Sequence, residues 1–176
     1  RTNPSAKAIK TWDGTFMCGV RSKDALHQFA PEAVSLVERT HHHMLEVYGS
    51  LDPGEIGLIN ADVGLHNIVW HQGRAGLIDF NDAGIGAYAF CLGRLTERIR
   101  RLDNGTKLTE ELLRGYREVT PLPPAYERWG PLFEVTAAVF AMKFRQTRVD
   151  ERGTELSDRE KIAIHTCNEK LDLLNL

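Results

Sequence analysis

A chain of 176 residues is one domain by size, able to bury roughly 70% of its unfolded surface. Its 42% apolar and 26% charged residues are ordinary for a soluble globule. A net charge of −2 and a pI near 6.4, with no Lys/Arg run, exclude a phosphate-backbone binder, and apolar stretches such as 135–142 fall far short of the roughly twenty residues of a membrane span. Three cysteines without C-x-x-C spacing (Cys18, Cys91, Cys167) read as reduced, mostly buried thiols of a cytoplasmic protein. In chain order, Trp12-Asp13-Gly14-Thr15-Phe16 reads as a turn with flanking aromatics, and Ser22–Ala30 as a short helix. Pro31-Glu32 opens a helix through Tyr48, with Val34, Val37, His41, Met44, Leu45 and Tyr48 on one face and Gly49 just past its end. His41, His42 and His43 lie on it, but adjacent helical residues point about 100° apart, which argues against a shared metal ion. Ile56–Ile59 is a short apolar run expected to form a buried strand; Asn67–Trp70 and Ala75–Phe80 are two more, joined by a turn of hairpin length, His71–Arg74.

The rest of the chain reads as helical. One helix is expected from about Ala87 to Arg101, with Phe90, Leu92 and Leu95 inward. Another follows Thr109 as N-cap, with Glu110 and Glu111 near its positive end and Leu112, Leu113 and Tyr116 buried. Pro121-Leu122-Pro123-Pro124 is a stiff connector, and Pro131 starts a helix, apolar on most sides, through Phe144. Ser157 and Glu160 form a capping box for a last helix carrying Ile162, Ala163, Cys167, Leu171 and Leu174. The class is therefore α+β, mainly helical, in a single domain over residues 1–176 without internal repeats.

Chemistry concentrates in residues 58–86. Asp62 precedes Asn67, and Asp79 follows on the far side of the expected hairpin. A carboxylate, an amide and a second carboxylate at strand ends can supply a general base and a hard-cation site together, the equipment for moving a phosphoryl group to a hydroxyl. A blander reading stays open for Asp62 and Asn67, since both residue types satisfy turn backbone groups. Asp79 is harder to explain that way, because a carboxylate at a buried strand end is costly unless paired or metal-bound. Asp82 fits either the site or a turn cap.

Asp62-x4-Asn67 followed by Ile78-Asp79-Phe80-x-Asp82 resembles the catalytic-loop and metal-loop signature of the aminoglycoside and choline phosphotransferase family. That family shares the protein-kinase-like fold, with Asp-Phe-x-Asp in place of Asp-Phe-Gly. The resemblance implies a large C-terminal lobe whose small β-hairpin carries the two loops. It implies that Asp62 orients the acceptor hydroxyl and takes its proton, and that Asn67 and Asp79 hold Mg²⁺ against the phosphates of ATP. Asp82 is a substrate-side candidate. Asn60 stands where the family usually has a bracing His, and an amide can still donate and accept there. Two further positions depart from the pattern. Gly64 replaces a common His, with His66 appearing later, and the Asp usual in the following helix is missing from Tyr88–Leu92.

Neither G-x-G-x-x-G nor G-x4-G-K-[ST] occurs, and no run of alternating strands precedes Asp62. The chain begins at Arg1 without Met, so the expectation is a catalytic lobe lacking its N-terminal nucleotide lobe, which would carry most nucleotide-binding residues. Residues 1–30 are then an inter-lobe, substrate-side segment. The expected function is ATP- and Mg²⁺-dependent transfer of a phosphoryl group to a hydroxyl of a small molecule, feeble in this part alone. Two alternatives stay open: a non-catalytic kinase-like binding or regulatory module, and a glycosidase-type pair of Asp62 and Asp79. The expected partners are nucleotide, a hydroxyl acceptor and the missing lobe, with neither nucleic acid nor membrane.

Overall fold

The structure is a computed structural model that describes residues 9–18, 26, 29–149 and 156–176, without the side chains of residues 16 and 143–149. The helix expected over Ser22–Ala30 lies mostly outside the described residues. Two small sheets and a set of helices make up the fold, mainly helical as expected.

The first sheet has the order β1-β5-β2. Strand β1 (Lys10–Trp12) runs parallel to β5 (Gly84–Ala87), with Trp12 opposite Gly86, and β2 (Ile56–Ile59) runs antiparallel to β5, with Ile59 opposite Gly84. The expected aromatic turn at Trp12 is thus the end of a strand, and its indole is core, packed on Phe90 and Phe140 at ring-centroid distances of 5.7 and 5.4 Å. Strand β2 is not a buried strand either: Ile59 is buried but Leu58 is 68% exposed, because only one face of the sheet meets helices. The second sheet is the hairpin of β3 (Ile68–His71) and β4 (Arg74–Leu77). Its turn is two residues long rather than four, with φ of 49° at Gln72 and 75° at Gly73, the primed geometry that matches strand twist.

A four-residue helix α1 (Gly14–Met17) leads toward α2 (Pro31–Gly49), which starts with Pro at its first turn. Its buried row is Ala33, Leu36, Val37, Thr40, Met44 and Val47, turned from the expected face so that Leu45 is exposed; α1, α5 and α6 press on that row. Helix α3 (Tyr88–Ile99) crosses α5 (Pro124–Val149) so closely that a Cβ at Gly93 would lie 2.7 Å from the Phe133 backbone. Helix α5 begins at the proline connector, earlier than expected, and kinks at Trp129 (φ −129°, ψ 19°), where Pro131 removes a backbone donor. Helix α4 (Gly105–Val119) also starts early, after Asn104 in the left-handed region. Thr109 therefore sits inside it, bonding back to the Gly105 carbonyl at 2.8 Å, while Leu112, Leu113 and Tyr116 are only half-buried on this surface helix. The Ser157–Glu160 capping box forms at the start of α6 (Asp158–Leu173). The buried row of α6 is Ile164, Cys167 and Leu171, with Ile162 exposed, because this row faces α2 and α5.

Buried Glu55, just before β2, accepts from the Ala125 amide at 2.5 Å and from Arg128 at 3.4 Å, pinning the start of α5 to the sheet that leads to the loops. The three cysteines are free thiols, and burial raises all three, Cys91 and Cys167 to about 11.

Candidate active site

As β2 ends, the buried Asn60 and Ala61 turn the chain outward. The Asn60 amide spans two loops: Oδ1 accepts from the Asp62 amide at 3.2 Å, and Nδ2 donates to the Asp79 carbonyl at 3.1 Å. Asp62 is partly exposed, and its two carboxylate oxygens have different neighbours. Oδ1 accepts from Arg94 Nη2 at 2.6 Å and Arg98 Nη2 at 3.2 Å. Oδ2 accepts from Asn67 Nδ2 at 3.4 Å, with His66 Nε2 at 3.8 Å.

Asn67 closes a 3₁₀ turn (Leu65–Asn67) one residue before β3 rather than beginning the strand, and it is buried. Its Nδ2 also donates to the Asp62 carbonyl at 3.0 Å. That commits the nitrogen of the amide to Asp62 and leaves its oxygen as the group offered elsewhere. Its carbonyl accepts from the Ile78 amide at 2.9 Å, so the chain entering Asp79 is tied to Asn67 beyond the end of the hairpin.

Asp79 is exposed, which overturns the buried strand end expected for it: β4 stops at Leu77, and Leu77, Ile78 and Phe80 are themselves exposed. It holds φ at 60°, a left-handed conformation that a non-glycine residue adopts at a cost of order 1–3 kcal/mol. Asn60 on its carbonyl and the Asn81 amide on its Oδ1, at 3.2 Å, keep it there. Asp82 pairs with Lys10, which also reaches the Asn81 carbonyl at 3.1 Å, and Trp12 Nε1 donates to the Asp82 carbonyl at 3.0 Å. The structure thus ties this carboxylate to β1.

Arg94 and Arg98 were not singled out from the sequence. The signal was there: two arginines at i and i+4 on a helix otherwise rich in apolar residues. Burial, then the Arg98 charge, pull the Arg94 guanidinium below its ordinary value, while Asp62 pulls it up.

The oxygens of Asn67 and Asp79 are hard donors and suit Mg²⁺, which takes one or two carboxylates and completes its shell with water and phosphate. Another ligand group lies elsewhere. His42, His43 and Glu46 place their ligand atoms within 4.8 Å of one another on α2, with the two imidazoles 5.2 Å apart. The expected divergence of these histidines is overturned, because side-chain rotation bends both rings toward Glu46.

The description "Phosphotransferase enzyme family" belongs to a family model that matches residues 11–132, a span holding every site residue above except Lys10. Among solved structures the chain is similar to the amicoumacin kinase hAmiN in complex with AMP-PNP, Ca²⁺ and Ami, with a TM-score of 0.63 and 17% identity. The match covers 95% of this chain and 62% of that one, so this chain spans less than two thirds of its length. No curated protein matches the chain. By its fold it is kinase-like, and by the family match the chain belongs to the phosphotransferase enzyme family.

Proposed function

We propose that this chain is the catalytic lobe of a cytoplasmic small-molecule O-phosphotransferase that uses ATP and Mg²⁺. Asp62 receives the proton of the acceptor hydroxyl through Oδ2, the oxygen not taken by arginine. Asn67 Oδ1 and the Asp79 carboxylate would hold Mg²⁺, and Asn60 fixes the spacing of the two loops. Bound Mg²⁺ would offset the charge of the nucleotide phosphates. Asp82, neutralised by Lys10, has at most an indirect part on the acceptor side.

The observation that carries the reading is the continuity of the network. Asn67 touches the Asp62 carboxylate on one side and accepts from the Ile78 amide, just before Asp79, on the other, while Asn60 bonds to both loops. A turn-forming role alone needs no such convergence. The hairpin supports a second part of the proposal. Trp70 (74% exposed), Phe80 (58%) and Leu77 leave apolar side chains in solvent on the hairpin and just past it, and a nucleotide-binding lobe would cover them. This lobe alone is then expected to turn over little.

The complete protein with ATP, Mg²⁺ and a panel of small hydroxyl compounds should show acceptor-dependent ADP release. Asp62→Asn should abolish that release and keep the Mg²⁺-dependent rise in melting temperature given by ATP; Asp79→Ala should lose both. ATP binding that persists in Asp79→Ala, or turnover that persists in Asp62→Asn, would contradict the assignment. The ion pairs on Asp62 favour one competing reading, a non-catalytic kinase-like module. It predicts no acceptor-dependent ADP release with any member of the panel.

A further inference from the structure

We propose that Arg94 and Arg98 are positioning residues for Asp62, gripping Oδ1 so that Oδ2 alone meets the acceptor, with Arg98 filling the volume of a side chain at position 64. The inference rests on the reading of Asp62 as the acceptor base.

Arg94 is 5% exposed and lies on an aromatic floor, its Cζ 5.8 Å from the Phe90 ring centre and 5.1 Å from that of Phe140. Among the described residues, its buried Nε and Nη1 have no hydrogen-bond partner. Among the described residues its hydrogen-bonding partner is Asp62, at 2.6 Å. A buried guanidinium with two idle nitrogens is a poor way to stabilise a core: apolar replacements of buried ion pairs are often neutral or stabilising. A methionine or leucine would pack on the same rings without that desolvation. What an apolar residue would not do is hold a carboxylate oxygen.

Arg98 lies one turn further along α3. Its Nη1 donates to the Val63 carbonyl at 3.1 Å and its Nη2 to Asp62 Oδ1 at 3.2 Å, so it grips the loop backbone and the carboxylate at once. Gly64 makes this possible. A Cβ at that position would fall within the guanidinium, 2.8 Å from Arg98 Cζ and 2.8 Å from His66 Cε1. The glycine that departs from the family pattern is therefore matched by an arginine reaching in from the next helix. With Oδ1 held from two directions, the carboxylate cannot rotate. Oδ2 stays between the buried Asn67 and the exposed His66. Displacing a reacting group by 1 Å costs on the order of 10²-fold in rate.

The test is steady-state kinetics on the complete protein. The variants are Arg98→Met, Arg98→Lys, Arg94→Lys, Gly64→Ala and the double variant Gly64→Ala with Arg98→Met, beside Asp62→Asn. Arg98→Met should lower kcat by about 10²-fold with both KM values and the melting temperature close to the parent's. Arg98→Lys and Arg94→Lys, which keep one donor, should fall between. Gly64→Ala pushes the guanidinium off both partners, so it should reproduce the Arg98→Met loss, and the double variant should add nothing to it. Parent-like kcat in Arg98→Met, beside an inactive Asp62→Asn, would end the arginine role and leave Asp62 as the base. Additive losses in the double variant would also overturn the shared-volume account. A complete protein with no turnover, or a fully active Asp62→Asn, would remove the Asp62 reading and this inference with it. Should Arg98→Met fail to fold, Arg98→Lys and Gly64→Ala decide by the same ratio of kcat to KM effects.

Discussion

The two halves of the candidate site are built to different standards of rigidity. On the base side, Asp62 is fixed by helix α3, by Asn60 and by Asn67, and α3 is seated in the core against α5. On the metal side, Asp79 follows a hairpin whose strands bond to each other and leave apolar side chains of both in solvent. The Asn60 amide and the Asn67 carbonyl bond across the two halves. The contrast suggests a division of labour. On the proposed reading, Asp62 as acceptor base is preorganised within this chain, whereas the proposed metal loop would become equally firm only once the hairpin is covered.

That contrast can be broken by truncating one aromatic in each half. Phe90→Ala, in the rigid half, should cost about 3–5 kcal/mol in denaturant unfolding. Trp70→Ala, on the hairpin, should stay within about 0.5 kcal/mol in this chain. Equal costs would mean the hairpin is packed after all. A smaller effect sharpens the link between sheet and helices: Glu55→Ala leaves the Ala125 amide without its acceptor and should cost about 1–3 kcal/mol, read from the same transition. The smallest effect concerns the thiols. Raised from an ordinary 9.0 to about 11, Cys91 and Cys167 favour the folded protein below pH 9, and that contribution is lost as pH rises through about 11. Iodoacetamide at pH 8 should therefore label them slowly until denaturant is added. Fast native labelling would show that α3 or α6 opens readily.

Local rules carried much of the architecture. The strand at Ile56–Ile59, the hairpin between Asn67 and Asp79 and the Ser157–Glu160 cap follow from a short apolar run, turn chemistry and capping. What was missed depends on contacts distant in sequence. Strand β5 has a glycine-rich sequence with weak strand preference, and it forms where β1 and β2 pair with it from either side. The role of Arg94 depends on Phe90, Phe140 and Asp62, which only the tertiary packing brings around it. The faces of α2 and α6 turned because each must satisfy several neighbours at once, which no single-helix pattern encodes. Asp79 was placed in a buried strand because apolar neighbours precede it; those neighbours face outward on the hairpin and beyond its end.

The central claim is a hard-cation site shared by Asn67 and Asp79 beside the base. Crystals of the complete protein with Mn²⁺ and AMP-PNP would test it by anomalous scattering, which locates the ion. A peak is expected about 2.1 Å from Asn67 Oδ1 and an Asp79 carboxylate oxygen. A peak confined to His42, His43 and Glu46, with none between Asn67 and Asp79, would contradict it.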